Sequence, residues 1–80
     1  MEEKEIREKV KKVVAEKLAV SEDKITDEAR YVEDLGADSL ALVDIAMALE
    51  DEFGMKIPDE DIEKITTVGS TIGYIKEHLK

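Results

Sequence analysis

One short run, Gly36-Ala37-Asp38-Ser39-Leu40, sets a hydroxyl nucleophile beside a carboxylate directly behind a glycine. Glycine frees the backbone for a tight turn, and Asp38 or Ser39 can cap the orphan N–H groups of a first helical turn. An amphipathic pattern starts at once behind them, so Ser39 stands where a loop becomes a helix. Backbone N–H groups and the positive end of the helix dipole converge at such a point, and a phosphate esterified to Ser39 would sit in a favourable field. On local sequence alone a plain helix cap is the commoner use of such a serine, with a modified serine as the alternative. A hydrolase nucleophile fits poorly, because the surroundings are not Gly-x-Ser-x-Gly and the single histidine, His78, lies near the far terminus. Asp59-Glu60-Asp61 has the acidic spacing of a calcium loop without its glycine or closing glutamate. With no cysteine and one histidine, no specific metal site is expected, only weak divalent binding to acidic side chains.

The helix behind Ser39 runs from Leu40 to Phe53 and carries two apolar stripes. At about 3.6 residues per turn, Leu42, Ile45, Ala46, Leu49 and Phe53 share one side, which is the core side. Leu40, Val43 and Met47 point roughly the opposite way, interleaved with Asp44, Glu50 and Asp51. An outward apolar row among carboxylates suits a partner surface that is basic at its rim and apolar at its centre.

Three further segments must hold that helix. Glu2 to Leu18 reads as an amphipathic helix with Ile6, Val10, Val13, Val14 and Leu18 on its stripe and Glu/Lys pairs such as Glu5–Lys9 and Glu8–Lys12 outside. From Ala19 to Ala37 the periodicity fails. Ile25, Val32 and Leu35 are expected to pin this long connection onto the core, with a helical turn around Asp27 to Arg30. Gly54 ends the second helix and Pro58 prevents its continuation. Asp59 to Ile65 then reads as a one- or two-turn helix with Ile62 and Ile65 inward. Thr67 caps a last helix with Val68, Ile72, Ile75 and Leu79 on its stripe, loosened by Gly69 and Gly73. The fold class is therefore all-α: a small four-helix bundle, three main helices and one short, with a long loop between the first and second. Residues 1–80 are expected to form a single domain.

Charge is unevenly spread along the chain. The net charge is −9, and residues 19–64 alone hold fifteen acidic and four basic side chains, while each flank stands at +1. Nucleic acid and anionic membranes are poor partners for such a surface, whereas proteins with Lys/Arg patches are steered toward its middle. A merely solvated acidic face is the plainer explanation, and the apolar row on the same face favours recognition. The longest uninterrupted apolar run, Ile45 to Leu49, is far short of a membrane span, and the N-terminus lacks a signal-peptide core. A cytoplasmic monomer without stable membrane insertion is the expectation.

In Asp38-Ser39-Leu40, and in the later blocks Met47-Ala48-Leu49-Glu50, Phe53, Ile57-Pro58-Asp59 and Ile65-Thr66-Thr67-Val68, the chain resembles the acyl carrier proteins of type II fatty acid synthesis. The match spans nearly the whole chain in order. It departs at Ala41, where the family often has an acidic residue, and at Leu42, where a polar one is common. The resemblance implies 4'-phosphopantetheine, derived from coenzyme A, on Ser39 between Asp38 and Leu40. It implies a non-catalytic carrier, modified by a separate phosphopantetheinyl transferase (holo-carrier synthase), that holds growing acyl chains as thioesters. Leu40, Val43, Asp44, Met47, Glu50 and Asp51 would face basic patches of fatty acid synthesis enzymes, and Ala46, Leu49, Ile65 and Ile72 would part to shelter the acyl chain. A carrier for a polyketide, aminoacyl or D-alanyl cargo, or an unmodified acidic adaptor, remains the alternative.

Overall fold

The computed structural model describes residues 2–79. Its helices are α1 (Glu3–Leu18), α2 (Ser39–Phe53), α3 (Asp59–Ile62) and α4 (Val68–His78). The expected stripes meet at the centre. Ile6, Val10, Val13 and Val14 of α1 are buried against Ile45, Ala46, Leu49 and Phe53 of α2 and Val68, Ile72 and Ile75 of α4. Each such aliphatic side chain contributes about 1.5–3 kcal/mol relative to exposure. Leu18, Leu42 and Leu79 are only half-buried, at the edge of the same core.

Local signals set the helix ends. Asp38 Oδ1 accepts the Ala41 N–H at 2.9 Å at the start of α2, and Gly54 closes it at φ 62, its N–H donating to the Glu50 carbonyl. At α4, Thr67 and Ser70 form a reciprocal capping box. On α1 the expected Glu5–Lys9 pairing gives way to other partners. Arg7 bonds Asp27 at 3.0 Å and Glu3 at 3.6 Å, while Lys9 lies 5.9 Å over the Phe53 ring.

The long connection differs from expectation in three ways, all with one cause. Its helical turn is a single 3-10 turn at Glu22–Lys24, not at Asp27 to Arg30. The carbonyls of Asp27 and Ala29 are turned toward α4, where they accept the N–H groups of Gly69 at 2.7 Å and Val68 at 3.1 Å, so they cannot close a helix. An isolated antiparallel bridge joins Arg30 to Thr67, with the Tyr31 N–H on the Thr66 carbonyl at 3.1 Å. Along such a paired segment successive side chains alternate sides. Tyr31 points inward and is fully buried, so Val32, expected on the core, is 53% exposed. Ile25 is buried as expected, and Leu35 half-buried.

Gly69 also takes on a different role. A β-carbon there would lie 2.9 Å from the Asp27 carbonyl oxygen, whereas one at Gly73 would meet open space. The first glycine lets the loop approach the N-terminus of α4.

Candidate functional site

Ser39 is delivered by a loop folded tightly on itself. The Arg30 carbonyl accepts the N–H groups of Asp34 (2.9 Å) and Leu35 (3.1 Å), and the Tyr31 carbonyl accepts that of Ala37 at 2.8 Å. Asp34 Oδ2 in turn accepts the Arg30 N–H at 2.9 Å, and the Arg30 guanidinium pairs with Glu33 at 2.7 Å. Gly36 adopts φ 73, a left-handed conformation that costs a side-chain-bearing residue strain, and Ala37 then buries its methyl. The anchor beneath is Tyr31. Its hydroxyl bonds Thr71 Oγ1, which itself donates to the Thr67 carbonyl at 2.9 Å. Burial pushes the Tyr31 phenol up to about 12, against a smaller opposite pull from Thr71, so it remains a neutral donor.

Of the two capping candidates, Asp38 takes the role, and Ser39 becomes the first helical residue with its side chain exposed. Asp38 is committed to the Ala41 N–H. Among the described residues no acceptor meets the N–H groups of Ser39 and Leu40, and the first turn of α2 holds no acidic side chain. A phosphate ester at the serine would meet donors and a positive dipole end. Among the described residues no side chain is hydrogen-bonded to the Ser39 hydroxyl. His78, the single histidine, directs Nδ1 at the Tyr74 carbonyl at 2.8 Å on α4.

Beside Ser39 opens an apolar groove of about 490 Å³, lined by Leu42 and Val43 of α2, Asp59 and Ile62 of α3, and Glu63 and Thr66 after it. Ala46, Leu49, Ile65 and Ile72, expected to shelter an acyl chain, are packed into the core and do not line this groove. The outward face of α2 stands clear. Leu40 is 77% exposed, Met47 58% and Val43 39%, with Asp44 and Asp51 exposed among them. Glu50 is half-buried and otherwise occupied, its Oε2 accepting the Ile57 N–H at 2.7 Å and tying the α2–α3 loop down.

Sequence reasoning missed Tyr31, Thr71, and the pairing of Asp61 with Tyr74, whose hydroxyl donates to Oδ2. That hydrogen bond holds the Asp61 carboxyl below its ordinary range, while burial first and Asp61 second push the Tyr74 phenol up to about 12. The retrievable signal was a tyrosine on the core side of the last helix, whose hydroxyl needs a partner. Among the described residues no group of three or more His, Cys, Asp or Glu is placed to hold a metal, and no helix is long and apolar enough to cross a membrane. Against known families, a model described as a phosphopantetheine attachment site matches residues 8–75.

Proposed function

The chain belongs to the phosphopantetheine-attachment family, and from that premise we propose that it carries growing acyl chains on Ser39 for type II fatty acid synthesis. The family's prosthetic group is 4'-phosphopantetheine, and its domains are carriers, generally non-catalytic, that meet a phosphopantetheinyl transferase and partner enzymes. When bound, the group supplies the terminal thiol that holds acyl groups as thioesters, a nucleophile that a chain without cysteine lacks. The residues around Ser39 fit it. The observation that carries the reading is an exposed hydroxyl at the first position of α2, beside two backbone N–H groups that meet no acceptor among the described residues, with an apolar groove alongside.

In this reading each neighbour has one task. Ser39 offers Oγ to the phosphoryl group of coenzyme A, whose adenosine 3',5'-bisphosphate leaves; Asp38 is spent on the Ala41 N–H and His78 lies on α4, so neither takes the hydroxyl proton. Activation belongs to the transferase. Leu40, Val43 and Met47 present the apolar centre of the docking face, and Asp44 and Asp51 its acidic rim. Glu50 contributes mainly by fastening the following loop. The fatty acid assignment rests on the run Met47-Ala48-Leu49-Glu50 and on the acidity of residues 19–64.

Intact mass after incubation with coenzyme A and a broad-specificity phosphopantetheinyl transferase tests the site. A gain of about 340 Da, confined to the wild type and absent from Ser39→Ala, is the expected result. No gain from the folded wild-type chain would overturn it and leave an acidic adaptor. Cargo is then tested by offering the modified protein malonyl, aminoacyl and D-alanyl donors with their loading enzymes. Loading by the malonyl system alone is expected, and preference for either other donor would refute the fatty acid assignment.

A further inference from the structure

The short helix α3 forms one wall of the groove beside Ser39, and of its own four residues Ile62 alone packs against the core, between the buried Ile57 before the helix and Ile65 after it. None of its four residues is fully buried, and its helix contacts are with α2. Burial of apolar surface, the usual glue of a helix, is therefore weak here. Two polar fastenings add to it. Glu50 holds the loop before α3 through the Ile57 N–H at 2.7 Å. At the other end the Tyr74 hydroxyl, on α4, donates to Asp61 Oδ2.

The second fastening is built with care. The Tyr74 ring is buried and covered by the His78 ring, stacked at 4.1 Å and 18°, so the hydroxyl has a fixed aim. The Asp61 side chain is only 16% exposed, and its other oxygen meets the ammonium of Lys64 at 3.4 Å. A hydrogen bond from a hydroxyl to a carboxylate is a strong one, and a largely covered carboxylate that loses its donor must turn to water. Asp61 adjoins Ile62, which lines the groove. Where Asp61 goes, Ile62 follows.

We propose that the Tyr74–Asp61 hydrogen bond is a latch that holds α3 against the bundle and thereby sets the width of the groove beside Ser39. Tyr74 is a positioning residue: it does not touch the groove but fixes the helix that does. That the groove receives cargo rests on the carrier reading above; that the latch holds α3 does not.

The deciding experiment is amide hydrogen exchange on the unmodified protein, read at Asp61, Lys64 and Ile65, whose N–H groups bond Pro58, Asp61 and Ile62 within this turn. Tyr74→Phe keeps the ring and removes the hydroxyl, and exchange at these three amides is expected to quicken about tenfold. Val10→Ala, which weakens the bundle as a whole through α1, is the control and should leave local α3 exchange unchanged. Asp61→Asn, which keeps an acceptor but loses the charge, should fall between the wild type and Tyr74→Phe, and Asp61→Leu should match Tyr74→Phe with no further gain in the double variant. Unchanged α3 exchange in Tyr74→Phe, or equal quickening in Val10→Ala, overturns the latch. Because this arm needs no modified serine, failure of the carrier reading would show separately, in the mass experiment.

Discussion

Replacing Gly69 and Gly73 by alanine, each alone, should change stability in opposite directions although both lie in α4. At Gly73 an added methyl meets open space, so the substitution gains only the helix preference of alanine over glycine, about 0.5–1 kcal/mol. At Gly69 the methyl would stand 2.9 Å from the Asp27 carbonyl oxygen, a backbone atom that cannot swing aside like a side-chain end. Relieving that overlap means moving the loop, stretching the 2.7 Å bond from the Gly69 N–H and disturbing the Val68–Ala29 bond beside it. Overpacking of this kind costs about 1–3 kcal/mol. Less the alanine gain, a net loss of about 1 kcal/mol remains at mid-range. At about 4–8 °C per kcal/mol for a chain of this size, Gly73→Ala should raise the melting temperature by about 4 °C and Gly69→Ala lower it by about 4–8 °C. Far-UV circular dichroism melts read both. If both variants melted higher than the wild type, the loop would not rest on the first turn of α4, and the account of how Ser39 is positioned would fail with it.

Other outcomes follow from the same contacts. Thr71→Val should cost more than Tyr31→Phe, since the first leaves a buried phenol unpartnered, about 1–3 kcal/mol, and the second leaves Thr71 still bonded to the Thr67 carbonyl, about 1 kcal/mol, as denaturant unfolding would reveal. Arg7 holds the Asp27 carboxyl below its ordinary value of 3.8, so its stabilisation is complete above that value and lost as pH falls through the lowered one. The stability gap between wild type and Asp27→Asn, on the order of 1 kcal/mol or less for so exposed a pair, should therefore be constant near neutrality and close below about pH 3.8. Met47→Glu should weaken binding of a partner enzyme about tenfold or more in a titration without loss of helicity, because the side chain is 58% exposed; a fall in helicity would place Met47 in the core.

What the sequence made legible was whatever a few neighbouring residues decide. Gly54 after α2 and Thr67 before α4 act within one helical turn and were readable from residue type and position, while at the start of α2 the residue types left Asp38 and Ser39 as rival caps. The stripes of α1, α2 and α4 were equally plain, because a period of 3.6 needs no knowledge of the partner. Tyr31 and Val32 show where this ends. Both are apolar enough to be buried, and which one turns inward depends on pairing with Thr66 and Thr67, far along the chain. Gly69 is similar: by propensity a weak helix residue, it is needed for a backbone approach that only the tertiary arrangement reveals. At the candidate site, the helix start beside an exposed serine was readable, while the groove and the fastening of α3 required side chains from separate helices to be brought together.

The docking of residues 27–31 on residues 66–69 has a kinetic side. Contacts between such distant parts of a chain close late, since loop-closure entropy must be met before they return anything. Helices α1 and α2 can nucleate on local information, and Arg7 can hold Asp27 to α1, but the hydrogen bonds from residues 66–69 and the Tyr31–Thr71 bond that fix the turn before Ser39 wait for α4. Residues near the C-terminus thus complete the surroundings of a serine in the middle, and a chain stopped short of α4 would display the hydroxyl on a loop without its support.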